Sequence, residues 1–253
     1  MRPLVTLFAA ERVKWRKSWL LVAIVLAPLC QLGFLGLLFW FSESRLRMFK
    51  PGFQFWVELN FITWNLVVMP VTTALVSELS WDQERLARAW NRLLVQPFPW
   101  GAHFSVKILG HLTLMLGALA LFAIMLPLGG FLLQHKAELI MGPMPLRFFL
   151  HFLGYSVLSL CPVVAFQTWL SMRLPGTWVA CASALAGSWV ALRLVDQTPL
   201  LVLLPWGLAA QTSILFERWR VLPWGQVPLA IIMGLAFTVG GIWDFANRRE
   251  TSA

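Results

Sequence analysis

The chain has 253 residues, of which 59% are hydrophobic and 12% charged, with a formal net charge of +9. A soluble domain carries roughly 25% charged residues, so this composition, with a mean hydropathy of +0.73, excludes an ordinary water-soluble fold and makes lipid the main solvent. The Lys and Arg cluster at the ends of apolar runs, which is the pattern of membrane anchoring and gives no support to nucleic-acid binding.

Residues 1–17 predict an amphipathic helix lying on a membrane surface. Leu4, Leu7, Phe8 and Trp15 fall near one helical face, and Arg12, Lys14, Arg16 and Lys17 supply charge at the membrane end. A membrane-crossing helix needs about 20 mostly apolar residues. Six runs qualify, at 18–41, 55–77, 105–132, 148–172, 177–195 and 227–246. Their continuous apolarity predicts helices, because barrel strands would alternate. The expected fold class is therefore an all-α membrane protein with one transmembrane domain over residues 1–253. The first run has no small-residue cleavage site and is read as a span rather than a signal peptide. Between the fifth and sixth runs, Pro205 and Gly207 break an apolar stretch, which predicts short re-entrant or interfacial helices. The dense basic cluster before the first span orients the N-terminus to the cytoplasm, and six spans then return the C-terminus to the same side.

The stretch WDQERLARAWNRLLVQPFPWGAHFSVK, from Trp81 to Lys107, lies between the second and third spans on the side expected to be cytoplasmic. Residues 82–95 predict a short helix. Leu86, Ala89, Trp90, Leu93 and Leu94 form its apolar face, and Glu84, Arg85, Arg88, Asn91 and Arg92 its charged face. Pro97 and Pro99 stop it. Such a helix suits docking of a soluble partner, with the arginines matched to carboxylates.

No phosphate-cradling GxxxxGK[ST], no GxSxG and no HExxH occurs, and the four histidines lack metal-ligand spacing. No catalytic group and no metal site is expected. Cys30, Cys161 and Cys181 lie in apolar runs and predict neither a disulfide framework nor a zinc site. Inside the spans, Glu58, Asn65 and Thr72 recur at heptad spacing and share one face. With the deeper Trp64 and Trp189, Glu58 and Asn65 are the candidate cargo path, since intramembrane polar groups usually face a bundle interior or a water-filled route. A position near the outer headgroups is the other reading of Glu58. Lys107 is expected to snorkel to the interface. Ser183, Gly187 and Ala191 form a small-residue stripe on the fifth span, a candidate dimer seam or a packing surface within one bundle. Trp40, Trp56, Trp81, Trp100, Trp178, Trp206 and Trp224 sit at span ends and read as an interfacial belt.

The order Glu84, short polar helix, Pro97, then Lys107 opening a span resembles the signature of type-2 ATP-binding-cassette (ABC) exporter permeases. Within that family the chain is most similar to the short permeases of lantibiotic-immunity and related peptide or drug exporters. It departs from the pattern at Arg88, where the family commonly has Gly, and at Trp100, where a basic residue is often found. The resemblance implies a coupling helix carrying Glu84, Arg85, Arg88, Trp90, Arg92 and Pro97 that inserts into a separate ATPase subunit. ATP and Mg would reside on that partner, with no cofactor in this chain. It further implies two ATPase copies, a second permease chain that is identical or related, a bacterial inner membrane, and an amphipathic or hydrophobic cargo. Two other functions fit the composition alone: a gradient-driven carrier using Glu58, and a membrane anchor or assembly factor without transport.

Overall fold

A computed structural model describes residues 2–16, 18–41, 52–86, 100–137, 140–194, 204–211 and 227–247. The described residues are predominantly helical, with no β-strand among them. The helices are α1 (Arg2–Trp15), α2 (Leu20–Phe41), α3 (Phe53–Leu86), α4 (Trp100–Ala137), α5 (Leu146–Arg173), α6 (Thr177–Leu194) and α7 (Val227–Asn247), with a short turn of helix at 207–211. Six of them, α2 to α7, are long and apolar enough to cross a membrane. In lipid every backbone N–H and C=O must be paired within the segment, and continuous apolar runs meet that demand as helices.

Ser18 divides α1 from α2. Its hydroxyl donates to the Trp15 carbonyl at 3.0 Å and accepts the Leu20 N–H at 3.4 Å, so one side chain closes one helix and opens the next. α1 then packs on α4, where Gly110 gives room to the Trp15 ring.

Two helices longer than the expected runs define the frame. α3 spans 34 residues without a break and α4 spans 38. The expected separate helix at 82–95 is therefore corrected in its first part: residues 82–86 continue α3 from the span without a break in helical hydrogen bonding. Residues 87–95, with Arg88, Trp90 and Arg92, and Pro97 beyond them, lie outside the described residues. In the expected re-entrant region only residues 204–211 are described.

The core sits on α3 and α5. Over their apolar stretches 56% of residues are buried, against 33% for α2, 28% for α4 and α7, and 22% for α6. The outer helices present Leu, Val, Ile and Phe outward, as a lipid-facing surface does. Gly130 of α4 permits close approach to α3, because a Cβ there would overlap the Phe53 ring. At this end the Phe53 N–H donates to the Met141 carbonyl at 2.8 Å, and Gly52 and Met141 form an isolated bridge.

Midway along α3 the helix widens into a π turn at Trp64–Val68, where the Met69 N–H reaches back to the Trp64 carbonyl. Pro70 follows immediately. A π turn inserts one residue into the α-helical register, so heptad spacing across it no longer marks one face. Glu58 is half-exposed while Asn65 and Thr72 are buried. The buried polar residue before the π turn is Asn60, whose carbonyl accepts the Gln31 amide at 2.7 Å.

The interfacial-belt reading fails for three tryptophans. Trp56 and Trp81 are fully buried, with their indole N–H groups donating to the carbonyls of Leu126 at 3.0 Å and Thr168 at 2.9 Å. Trp206 is buried against Gly187 of α6. The Trp56 and Trp81 rings, each with its one polar atom satisfied by a neighbouring backbone, have no need of the headgroups. Trp40 and Trp178 are exposed, as expected of a belt; the side chains of Trp100 and Trp224 lie outside the described residues.

Candidate functional site

The ionic groups gather where α3 ends, α4 begins and α1 crosses. Glu11 and Lys14 stand one turn apart on α1, Ser80 and Glu84 one turn apart on α3, and Lys107 near the start of α4. Lys14 Nζ lies 2.7 Å from Glu84 Oε1 and 3.2 Å from Glu11 Oε1. Lys107 Nζ lies 3.0 Å from Glu84 Oε1 and 3.3 Å from Glu11 Oε1. The result is a square of alternating charge, two carboxylates against two ammoniums, with no net charge. Lys107 also donates to Ser80 Oγ at 2.9 Å and sits 4.6 Å above the Trp81 ring. Burial raises the cost of each charge, and the complete set of partners offsets it.

This overturns the expectation that Lys107 snorkels. Its side chain is 3% exposed. Two carboxylates, a hydroxyl and an indole face are nearer than any interface, so the ammonium turns inward. At Glu11, burial alone would raise the carboxyl, but the Lys107 and Lys14 ammoniums outweigh it and hold it below its ordinary value. At Lys14, burial alone would lower the ammonium, and Glu84 and Glu11 outweigh it and hold it above.

Two arginines with three further ion pairs brace the same end of the bundle. Arg85 Nη2 donates to Glu78 Oε1 and to Asp82 Oδ1, the latter at 2.6 Å, while Nη1 donates to the Ser171 carbonyl at 3.1 Å. Glu78 Oε1 also accepts the Gly176 N–H at 2.7 Å, which ties α3 to the α5–α6 corner. Gly176 has φ +132, a backbone region that favours glycine. Arg173 Nη2 donates to Asp244 Oδ1, and Arg173 Nε and Trp169 Nε1 donate to Oδ2 at 2.6 and 3.0 Å, joining α5 to α7. Glu84 and Arg85, read from sequence as coupling residues on a charged helix face, are ion-paired within the chain.

Above this ionic layer a polar column runs between α3, α4 and α5. His111 Nδ1 meets Thr168 Oγ1 at 2.9 Å, Thr168 Oγ1 meets Ser77 Oγ at 3.4 Å, and Ser156 Oγ donates to Asn65 Oδ1 at 2.9 Å. The column holds buried polar atoms without a protein partner among the described residues: Asn65 Nδ2, His111 Nε2 and both amide atoms of Gln167. Buried polar groups are ordinarily paired with protein or water, and these atoms are among the exceptions in the described residues.

The candidate path residues do not converge. Asn65 belongs to the column. Trp64 is buried and stacks on Phe122 at 4.5 Å. Trp189 is 58% exposed and lines a surface groove of about 480 Å³ between α6 and the π turn, beside Leu66, Val67 and Leu185. Glu58 is held at the other end by Gln54, whose amide donates to it at 2.7 Å. On the small-residue stripe, Ser183 bonds the Ala180 carbonyl at 2.7 Å, Gly187 is covered by Trp206, and Ala191 is buried within this chain. Among the described residues no His, Cys, Asp and Glu group could hold a metal ion.

Sequence reasoning missed Glu11, Glu78, Ser80 and Asp244. Glu78 and Asp244 had a readable signal, because a lone carboxylate inside or at the edge of an apolar run demands a partner.

Comparison with known proteins was made against families, curated proteins and solved structures. A family model described as ABC-2 family transporter protein matches residues 7–187, well over half of the chain, taking in four of the six candidate spans among the described residues whole and part of the fifth. No curated protein and no solved structure matches.

Proposed function

Because the chain belongs to the ABC-2 transporter family, and so is the membrane subunit of an ABC transporter, we propose that it is the permease of an ATP-driven exporter powered by a separate ATPase. ABC-2 permeases are generally not themselves catalytic, and hydrolysis of ATP with its Mg belongs to the partner. The working unit is two permease chains, identical or related, with two ATPase subunits. The setting is a bacterial inner membrane with both termini cytoplasmic. The cargo is amphipathic or hydrophobic, of the peptide-antibiotic, drug or lipid-like kind, as in lantibiotic-immunity exporters.

The observation that supports this reading best is the charge square. Residues 87–99 connect α3 to α4 and carry Arg88, Trp90, Arg92 and Pro97. Glu84 stands just before them and Lys107 just after, and the two are joined directly and through α1. A displacement of that connection moves the stems of α3 and α4 as one body, with α1 attached. ATP-driven closure of the ATPase pair would then re-orient the bundle as a unit, the kind of rigid-element switching that allosteric machines use.

The first experiment is a pull-down of the tagged chain in mild detergent with identification of its companions. A soluble ATPase with a phosphate-binding loop, in equal copy number, is expected, and the double substitution Arg88→Glu/Trp90→Ala is expected to lose it while membrane insertion persists. A folded chain that never retains an ATPase, or a variant that transports normally, would sink the coupling assignment.

A further inference from the structure

The face of α1 opposite the charge square carries a second feature. Among the cations with described side chains, Lys14, Lys107, Arg85 and Arg173 all have carboxylate partners. Arg12 on α1 and Arg16 just past its end are exposed and, like Arg147 and Arg193, have no ion-pair partner among the described residues. Both edge a groove of about 550 Å³ whose walls are Phe8 and Trp15 of α1, Leu21 of α2 and Thr113 of α4. Phe8 and Trp15 meet edge to face at 5.8 Å and form its floor.

The groove has a charged mouth and an apolar exit. Leu21 belongs to the first turn of a span and Thr113 to the body of another. Along α4, Leu109 and Leu116 flank Thr113 by one turn on either side and are 51% and 43% exposed. The apolar strip leaving the groove therefore continues along the lipid-facing surface. A ligand that satisfies the whole feature has a compact anion at one end and hydrocarbon at the other. A carboxylate on a soluble protein would use the arginines and leave the strip uncovered, and a free phosphate would do the same.

We propose that this groove binds one anionic glycerophospholipid of the leaflet on which α1 lies. Its phosphate is held by the forked guanidiniums of Arg12 and Arg16, its glycerol region lies over Phe8 and Trp15, and an acyl chain follows Leu21, Thr113 and Leu116. Guanidinium donors match phosphate oxygens in pairs. The lipid is a wedge behind α1, on the side away from the charge square, and the geometry makes it a resident constituent rather than cargo.

The test uses the full chain in nanodiscs of phosphatidylcholine containing phosphatidylglycerol, followed by native mass spectrometry of the lipid retained on release. One phosphatidylglycerol per chain is expected, in preference to phosphatidylcholine. A basic residue at an anionic surface is worth a factor of roughly five, so Arg12→Gln/Arg16→Gln is expected to reduce the preference about twenty-fold. Arg147→Gln/Arg193→Gln, which removes the same charge elsewhere, is expected to keep it. Ala9→Trp, which fills the groove and leaves both arginines in place, is expected to abolish retention as well. Equal loss in both charge variants, or no loss in either, overturns the proposal in favour of diffuse attraction. Retention undiminished by Ala9→Trp overturns the acyl assignment, as does full displacement by inorganic phosphate in the millimolar range. All three variants are read only where size-exclusion profiles match the wild type, and Ala9→Trp and the arginine pair lie on an exposed face where folding does not depend on them.

Discussion

Lys107 is the residue on which the charge square turns. Replacing it with Met leaves Glu11 and Glu84 facing each other in a buried site with Lys14 alone to neutralise them. Breaking a buried ion pair from one side costs about 3–5 kcal/mol, so Lys107→Met is expected to lower the thermal midpoint markedly in detergent. Lys107→Met/Glu84→Gln, which restores the charge balance, is expected to recover much of the loss. A single substitution without effect would mean the square contributes nothing to the fold. The pH dependence has a definite sign. Glu11 is held below its ordinary value of 4.5, so its contribution is present above that value and is lost as pH falls through the folded value. Lys14 is held above its ordinary value of 10.5, so its contribution is present below that value and is lost as pH rises through the folded one. A spin label at Val5→Cys, with the three native cysteines removed, is expected to report an immobile α1 between those limits and release outside them. Mobility already high at neutral pH would show that the ion pairs do not hold the helix.

At the scale of elements, α6 depends on a contact its own sequence does not announce. Gly187 exists where Trp206 lies flat on the helix, and a Cβ at that position would run into the ring. Gly187→Val is expected to destabilise by about 1–3 kcal/mol through overpacking. Trp206→Ala in the same chain is expected to relieve the clash, although it opens a cavity of its own. If Gly187→Val melts as the wild type does, the Trp206 contact carries no weight and the stripe is free for another role. The helices themselves were legible, because lipid admits nothing else for such runs, and α5 begins and ends within two residues of expectation, as α2 and α6 begin. The end of α3 was not. A span boundary read from hydropathy stops where charge begins, at Ser77, whereas the described helix runs on to Leu86 with Glu78, Glu84 and Arg85 paired along it. The π turn was equally hidden, since one extra residue changes the face of everything beyond it without altering composition.

For the molecule as a whole, the motif picked out Glu84 and Lys107, and the structure joins these two to each other and to α1. Glu84 and Lys107 were recognisable as a pair flanking a connection, yet their partnership with each other and with α1 is a matter of three chain segments meeting in space. Spacing along one helix carries no trace of it. The same holds for Trp56 and Trp81, whose N–H groups are satisfied by carbonyls 70 and 87 positions away. Glu58 was singled out for its cost in a membrane, but it lies half-exposed beside Gln54, and the buried polar column belongs to Asn65, Ser156, Thr168 and His111. Polar identity told which residues were unusual; only packing told which of them share a space.

The bridge between Gly52 and Met141 sets one end of the bundle apart from the other. It is made of main-chain atoms, and a Cβ at Gly52 would meet nothing closer than 3.8 Å. Such a fastening is indifferent to which side chains the two residues bear, whereas the fastening of α1, α3 and α4 at the opposite end is written in four particular side chains. Over evolutionary time the first end is free to drift in sequence and keep its shape. The second is free to change only by paired replacement, and a family alignment should therefore show covariation at positions 11, 14, 84 and 107 and none at 52 and 141.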